Sequence, residues 1–303
     1  VSIRWIEQKM NKYLNNLLKT ENDDYVIASD TDSIYLNMGP VVDKFLANRS
    51  SDKAKVVELL DMICRDKLEP YIDDCYSNLA TYVSAYDQKM QMKRENIADR
   101  GIWTAKKRYI LNVWDSEGVR YEEPKLKVMG IESVKSSTPA PCRQMLKDAF
   151  KILMTGSEDE MIKFIDSKRE EFKKLPPEEV SFPRSVSDVI KYKSHASIYT
   201  KGTPIHARGA LLYNHYIKEK KLDAKYSLIQ NGEKIKFCYL KKPNHIHENV
   251  ISFIQDFPRE LNLDKYVDYD LQFDKSFLEP LKAILDAIGW SVEKTVNLEL
   301  FFG

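Results

Sequence analysis

The sequence predicts an α+β protein in which an antiparallel sheet with packed helices is followed by a mainly α-helical part carrying one β-hairpin. Three observations predict it. Apolar residues recur every three or four positions in the N-terminal stretch and again beyond residue 140, the period of helices with one buried stripe. Between residues 89 and 130 the period falls to two, as in half-buried strands. Turn chemistry then divides the chain, with Asp115-Ser116-Glu117-Gly118, Ser136-Ser137-Thr138-Pro139 and Asn231-Gly232 as its clearest signals.

Taken in order, Trp5, Ile6, Met10, Tyr13, Leu14 and Leu17 make the buried stripe of a first helix. Tyr25-Val26-Ile27-Ala28 and Ile34-Tyr35-Leu36 read as strands around a polar turn at 29–33, a hairpin with acids at its tip. Residues 53–68 and 70–85 read as two helices, the second opened by Pro70 and carrying Tyr71, Ile72, Cys75, Leu79, Tyr82 and Val83 on one face. Met90 and Met92, then Tyr109, Leu111 and Val113, then Lys125-Leu126-Lys127-Val128 continue as strands, expected to build one sheet with the hairpin. Helical patterns at 141–154 and 157–173 place a domain boundary near residue 130, giving domains 1–130 and 131–303. The second domain is expected to contain a hairpin at 226–240 around Asn231-Gly232 and a helix at 275–289.

A chain of 303 residues has room for two or three such units. With 43% hydrophobic and 31% charged residues and only 10 Gly and 12 Pro, collagen-like, disulfide-stapled and wholly disordered classes are excluded. No apolar run exceeds four residues, so no membrane span is expected, and the first residues lack a signal-peptide core. Val1 in place of Met points to a stretch excised from, or beginning inside, a larger protein. Cys64, Cys75, Cys142 and Cys238 show neither paired nor framework spacing, which suits reduced core thiols and argues against structural zinc. The net charge of +1 hides an asymmetry: residues 181–241 hold twelve Lys and Arg against four Asp and Glu, a local excess of eight. Tyr192, Tyr199, His206, Tyr213 and Tyr216 are interleaved with these cations, a mix that suits a phosphate backbone as well as an ordinary solvated face.

The sharpest chemical feature is Asp30-Thr31-Asp32-Ser33. Two carboxylates two apart on extended backbone would share a face, repel each other and favour a hard cation such as Mg2+, the arrangement phosphoryl transfer uses. A calcium loop is excluded, because it needs an acid or Asn and then Gly where this chain has Ile34 and Tyr35. On its own the same string also makes an ordinary polar turn. Lys106-Lys107-Arg108-Tyr109 sets three cations and an aromatic at the start of a strand, where alternate side chains can face one groove or simply meet solvent. His245 and His247 have no third ligand nearby and read as surface residues.

Together these strings carry a resemblance. Residues 25–36 resemble motif C of the family B DNA polymerases, and Lys106 to Tyr109 resemble their KKxY motif. Arg108-Tyr109-Ile110-Leu111-Asn112-Val113-Trp114-Asp115, Glu123-Pro124-Lys125-Leu126-Lys127-Val128-Met129-Gly130 and Lys135-Ser136-Ser137-Thr138-Pro139 are similar to the replicative polymerases of T-even-type bacteriophages. The likeness runs the length of the chain and implies the C-terminal part of such an enzyme, with the end of the palm in 1–130 and the thumb in 131–303. The family's motif A (DxxSLYPS) and motif B (KxxxNSxYG) do not occur in the sequence. The resemblance therefore implies a nucleotidyltransferase portion that is inactive alone and acts on primer-template DNA and dNTP with an N-terminal portion in the same or a separate chain. Two other readings stay open: a non-catalytic DNA-binding and clamp-recruiting module, or one subunit of a split polymerase.

By the resemblance, Asp32 is a ligand of a two-metal Mg2+ site completed by a carboxylate absent from this chain, and Asp30 is a supporting catalytic acid beside the primer end. Lys106, Lys107, Arg108 and Tyr109 would bind DNA, with Lys107 and Tyr109 at the minor-groove side of the terminal pairs, where every base pair offers an O2 or N3 acceptor. Lys135 would assist that grip at the palm–thumb junction. Glu95 reads either as another acid near the metals or as a surface residue. Ser185 to Tyr192 and His206 to Gly209 resemble duplex-holding segments, making Lys191, Tyr192, Lys201, His206 and Arg208 candidate phosphate contacts, with a structural role equally open for His206. The tail containing Leu298, Leu300, Phe301 and Phe302 resembles the peptide that inserts into a sliding clamp. The expected location is the cytoplasm of an infected bacterial host.

Overall fold

The structure, a computed structural model, describes residues 1–46, 52–187, 189–194 and 197–293. Its contacts divide the chain into one unit of Val1–Gly101 with Ala105–Lys127 and a second of Ile102–Thr104 with Val128–Gly303. The mixture of helices and small antiparallel sheets is the α+β class expected.

In the first unit, helix α1 (Ser2–Leu18) buries Ile6, Met10 and Leu14 at four-residue steps, the stripe the sequence announces. The Asn11 carboxamide oxygen accepts the N–H groups of Tyr25 (2.8 Å) and Val26 (3.0 Å), which ties the helix to the start of the following hairpin. That hairpin pairs β1 (Val26–Asp30) with β2 (Ser33–Leu36), with Asp30 opposite Ser33 and Ala28 opposite Tyr35. Only Thr31 and Asp32 remain in the turn, which is tighter than the 29–33 span expected. A short helix α2 (Gly39–Phe45) buries Val41 and precedes α3 (Lys53–Ile63) and α4 (Glu69–Tyr82).

The expectation of two separate helices at 53–68 and 70–85 is corrected. Cys64–Leu68 is a π-helical turn, and Leu68 keeps right-handed helical angles, so the backbone stays helical from α3 through α4. Proline lacks the N–H that an α-helix would need at position 70. A wide turn immediately before Pro70 removes that demand, so the residue expected to begin a helix sits inside one. The same Leu-Glu-Pro string closes a second π turn (Asp274–Leu278) between α9 (Tyr269–Phe273) and α10 (Glu279–Leu285).

Strands β3 (Asn96–Ala105), β4 (Arg108–Ser116) and β5 (Val119–Met129) form a sheet in that order. Two-residue connections, Lys106-Lys107 and Glu117-Gly118, force neighbouring strands to be antiparallel. Glu117 and Gly118 both have positive φ (52° and 88°), as a mirror-image hairpin turn requires. Among the described residues this sheet does not pair with β1 and β2, contrary to expectation. Nor does the period-two stretch at Met90 and Met92 become a strand. The Gln88 carboxamide takes both the N–H and the carbonyl of Met90 (2.7 and 2.8 Å), and the Arg94 N–H goes to Glu69, so side chains occupy groups a ladder would use.

The far end of β4 is pinned by charge. Asp115 is fully buried, meets the guanidinium of Arg94, and accepts from Arg120 Nε (2.9 Å) and from the Gly118 N–H (2.9 Å). Arg94 and Arg120 both also bond Asp61 on α3, and Arg120 reaches Glu58 at 2.9 Å. The chain thus fastens one end of its sheet to α3 through a shared set of ion pairs.

In the second unit, α5 (Ala140–Thr155) and α6 (Glu158–Phe172) match the expected helices within two residues. The start of α6 is fixed by a capping box between Ser157 and Glu160. The short helix α7 (Pro177–Val180) leads into β6 (Phe182–Ser185), which pairs with β7 (Lys234–Tyr239), itself paired with β8 (Val250–Phe253). The hairpin expected at 226–240 is therefore corrected: Asn231-Gly232 is a turn, yet β7 pairs with β6 and β8. Asn214 explains why, because its carboxamide bonds both the N–H and the carbonyl of Ile229 at 2.8 Å and so takes the place of a strand partner there. Helix α8 (Ile205–Glu219) lies against β8, and the fully buried Gln272 accepts from the Tyr239 N–H (3.0 Å) and donates to the Val180 carbonyl (2.6 Å).

Asp115→Ala is expected to leave Arg94 buried with a partner missing and to destabilise the first unit by about 3–5 kcal/mol, read from urea unfolding. The same network carries an acid dependence. Burial pushes the Asp61 carboxyl up, but hydrogen bonds and charge from Arg94 and Arg120 outweigh it and hold the group below the usual carboxylate range. A depressed folded-state pKa gives stability that is complete above the unfolded value of about 3.9 and lost as pH falls through the folded one. Unfolding free energy should therefore fall on acidification below about pH 4, and Asp61→Asn should flatten that fall.

Candidate functional site

The acid-bearing tip is a strained turn. Thr31 has φ of 44°, a left-handed conformation costly for a β-branched residue. It is held by the Asp32 N–H bonding the Asp30 carbonyl (2.5 Å), by the Ser33 hydroxyl donating to the same carbonyl (3.2 Å), and by the Thr31 hydroxyl donating to the Asp30 carboxylate (3.1 Å). The picture of two acids alternating on one extended strand is corrected accordingly: Asp30 ends β1, and Asp32 belongs to the turn.

The two acids differ in their surroundings. Asp30 is half-buried, and its carboxylate lies 3.9 Å from the Lys107 ammonium. Asp32 is exposed, and its charge adds to burial in raising the phenol of buried Tyr76 on α4. An exposed hard-oxygen donor fits one ligand position of Mg2+. Among the described residues, no three His, Cys, Asp or Glu side chains gather as a cation site.

The second motif meets the first. Lys106 and Lys107 form the exposed β3–β4 turn, with Lys107 at φ 61°, while Arg108 and Tyr109 open β4 and are half-buried. The Tyr109 ring stands edge-on to Tyr35 of β2, with centroids 5.5 Å apart and planes at 62°. Burial first, and then a hydrogen bond with Tyr109, push the Tyr35 phenol well above its usual range. Glu95 is exposed, lies 3.7 Å from Lys127, and is among the charges acting on Tyr35. Sequence reasoning missed Tyr35, although it lies two positions beyond Ser33 and so, by strand alternation, on the same face.

The remaining candidates lie in the second unit. Lys135 is paired with Glu132 at 2.7 Å. Lys191, on the 3-10 turn Val189–Tyr192, is exposed with its ammonium 5.7 Å from the Tyr192 ring, and Lys201 is exposed beside Gly202. Arg208 is more embedded: it donates to Asn249 (2.6 Å), and its guanidinium lies 5.6 Å from the Tyr199 ring, whose hydroxyl bonds Glu248. His206 packs 6.3 Å from the Phe237 ring, and burial followed by the Arg184 charge keeps its imidazole below the usual pKa, hence neutral at pH 7. Leu298, Leu300, Phe301 and Phe302 lie outside the described residues.

The chain is 30% identical, over its whole length, to a DNA-directed DNA polymerase of Enterobacteria phage T4. It is 33% identical over 98% of its length to a DNA-directed DNA polymerase of Escherichia phage RB69. The chain is homologous to part of the phage DNA-directed DNA polymerases. It spans 34% of the length of each of these relatives, so the similarity covers about a third of those proteins. No protein-family model matches it. Among the described residues, no helix is long and apolar enough to cross a membrane.

The α8 segment bearing His206 and Arg208 depends on a close approach that only glycine allows. A Cβ at Gly209 would lie 2.4 Å from the Ser252 hydroxyl and 2.9 Å from its backbone nitrogen, both in buried β8. The same hydroxyl donates to the His206 carbonyl at 2.9 Å. Gly209→Ala should therefore push α8 from the sheet and cost about 1–3 kcal/mol, seen as a lower thermal midpoint.

Proposed function

We propose that this chain is the C-terminal portion of a replicative phage DNA-directed DNA polymerase, with the end of the palm in residues 1–130 and the thumb in 131–303. The observation that carries the reading is the meeting of its two motifs: Lys107 beside Asp30, and Tyr109 against Tyr35. An acid-bearing hairpin backed by a turn of cations and an aromatic is what gripping a primer end beside a metal-binding carboxylate requires.

In this reading Asp32 offers the metal-binding oxygen, and a carboxylate from the remaining portion of the enzyme, in the same or a separate chain, completes the site. Bound Mg2+ would supply the Lewis acidity for nucleotidyl transfer from dNTP. Asp30 holds Lys107 at the turn, and Lys107 and Tyr109 check the minor-groove side of the terminal pairs without reading their sequence. Exposed Lys191 and Lys201, with Tyr192, track phosphates, while Lys106, Arg108 and Lys135 reinforce the grip and Arg208 and His206 shape the surface. The tail with Leu298, Leu300, Phe301 and Phe302 docks on a sliding clamp. The enzyme acts in the cytoplasm of an infected bacterial host, as the phage origin of the relatives suggests. The lack of a third metal-binding side chain among the described residues favours a second reading, a non-catalytic DNA-binding and clamp-recruiting module.

Primer extension separates the two. The chain alone should not extend a primer in Mg2+, and it should do so with a separately expressed portion carrying the missing motifs. Asp32→Ala should abolish that activity, and Asp30→Ala should reduce it less. Extension that survives Asp32→Ala removes the metal-ligand assignment, and no extension by the assembly supports the non-catalytic module. Duplex affinity should also fall steeply with salt, and Lys191→Ala with Lys201→Ala should lower the slope of log K against log salt by about 2.

A further inference from the structure

Tyr35 lies within residues 25–36 but outside the acid string Asp30 to Ser33, and with Asp30 it is one of two side chains through which the hairpin meets the Lys106 to Tyr109 segment. It stands on β2 opposite Ala28, two residues from Ser33, whose hydroxyl donates to the Asp30 carbonyl at 3.2 Å. Its ring meets Tyr109 edge to face at 5.5 Å, and burial first, then interaction with the Tyr109 side chain, raises its phenol while Ser33 acts on it in the opposite sense. The backbones of β2 and β4 belong to different sheets, so no ladder fixes the distance between them. The contacts between the two tips are made by side chains, Tyr35 with Tyr109 and Asp30 with Lys107.

We propose that Tyr35 is a positioning residue that orients Tyr109 against the acid hairpin, so that the group checking the terminal base pair and the metal-binding acid move as one body. This deepens the polymerase reading above and rests on it. The Lys107–Asp30 pair spans the same gap at 3.9 Å, but an exposed ion pair is weak and yields to competing phosphates, whereas a half-buried phenol pair does not. Tyr35 therefore keeps the two tips in register when DNA draws Lys107 away. A slack contact would let the primer end settle at variable distances from Asp32, and extension would slow although the duplex is still held.

The test has two arms, both using Tyr35→Phe, which keeps the ring and removes the hydroxyl. In the first, the intact chain with carbon-13 in its tyrosine rings is observed by NMR, and the Tyr109 signal is assigned by its loss in Tyr109→Phe. Tyr35→Phe should shift the Tyr109 signal with an unchanged thermal midpoint; an unmoved signal overturns the proposal. In the second, the reconstituted polymerase extends a matched primer. Tyr35→Phe should lower kcat about two- to tenfold, the worth of one neutral hydrogen bond, with primer-template affinity unchanged. In a Tyr109→Phe background the same substitution should add no further loss, because the partner it positions is already altered. Equal losses in both backgrounds, or no loss in either, overturn the proposal. An assembly that fails to extend even when unaltered would sink the polymerase reading, while the ring signal would still decide whether Tyr35 sets Tyr109.

Discussion

A buried carboxylate governs the first unit. Asp115 has no access to water, and an isolated charge in that position would be far too costly to keep. It is tolerated because Arg94, Arg120 and the Gly118 N–H surround it, and because both arginines are in turn matched by Asp61 on α3. Each partner comes from a different piece of chain: the irregular segment before β3, the start of β5, the turn between β4 and β5, and a helix. Satisfying one charge thus brings four segments together, and one end of β4 is anchored there. Tyr109 sits near the other end of the same strand, so the placement of the cationic turn follows from an anchor at the opposite end of β4.

How far this could be read from the sequence depended on what competed with the local pattern. Helices α5 and α6 were legible because their helical periodicity and the Ser136 to Pro139 turn before them agree. The β1–β2 hairpin was legible as a hairpin, whereas its tip was not, because Asp30 belongs to the strand and Asp32 to a two-residue turn. The failures share a cause, which is a side chain taking a backbone partner that periodicity assigns to a strand. Asn214 does this at Ile229, and Gln88 does it at Met90. Pro70 misled in the opposite sense, since a proline reads as a boundary until a wide turn relieves it. In the candidate site, Asp30, Asp32 and the Lys106 to Tyr109 string stood out by composition. Tyr35 did not, because an aromatic on a strand reads as core, and only the three-dimensional meeting with Tyr109 distinguishes it.

The basic stretch of the second unit resolves into two kinds of cation. Lys191 and Lys201 are solvated, and their charges are available to a polyanion at small desolvation cost. Arg208 is engaged by Asn249 and Tyr199, and the ring of His206, in the first turn of α8, packs near Phe237 of β7. A charge count along the sequence treats all of these alike. The structure separates solvated cations from groups already engaged by their neighbours.

The π turn between α3 and α4 has a further effect on the shape of the hydrophobic interior. An α-helix advances about 100° per residue, so the one extra residue of a wide turn rotates everything beyond it by about that angle. Before the turn, Val57 and Leu60 of α3 bury themselves with Ile97. After it, Ile72, Cys75, Tyr76 and Leu79 of α4 bury themselves with Ile6 and Met10 of α1. Leu60 and Ile72 would stand about 120° apart around an unbroken α-helix, and the extra residue brings them to within about 20° of each other, so one helical segment presents a continuous apolar side to both groups without a loop between them.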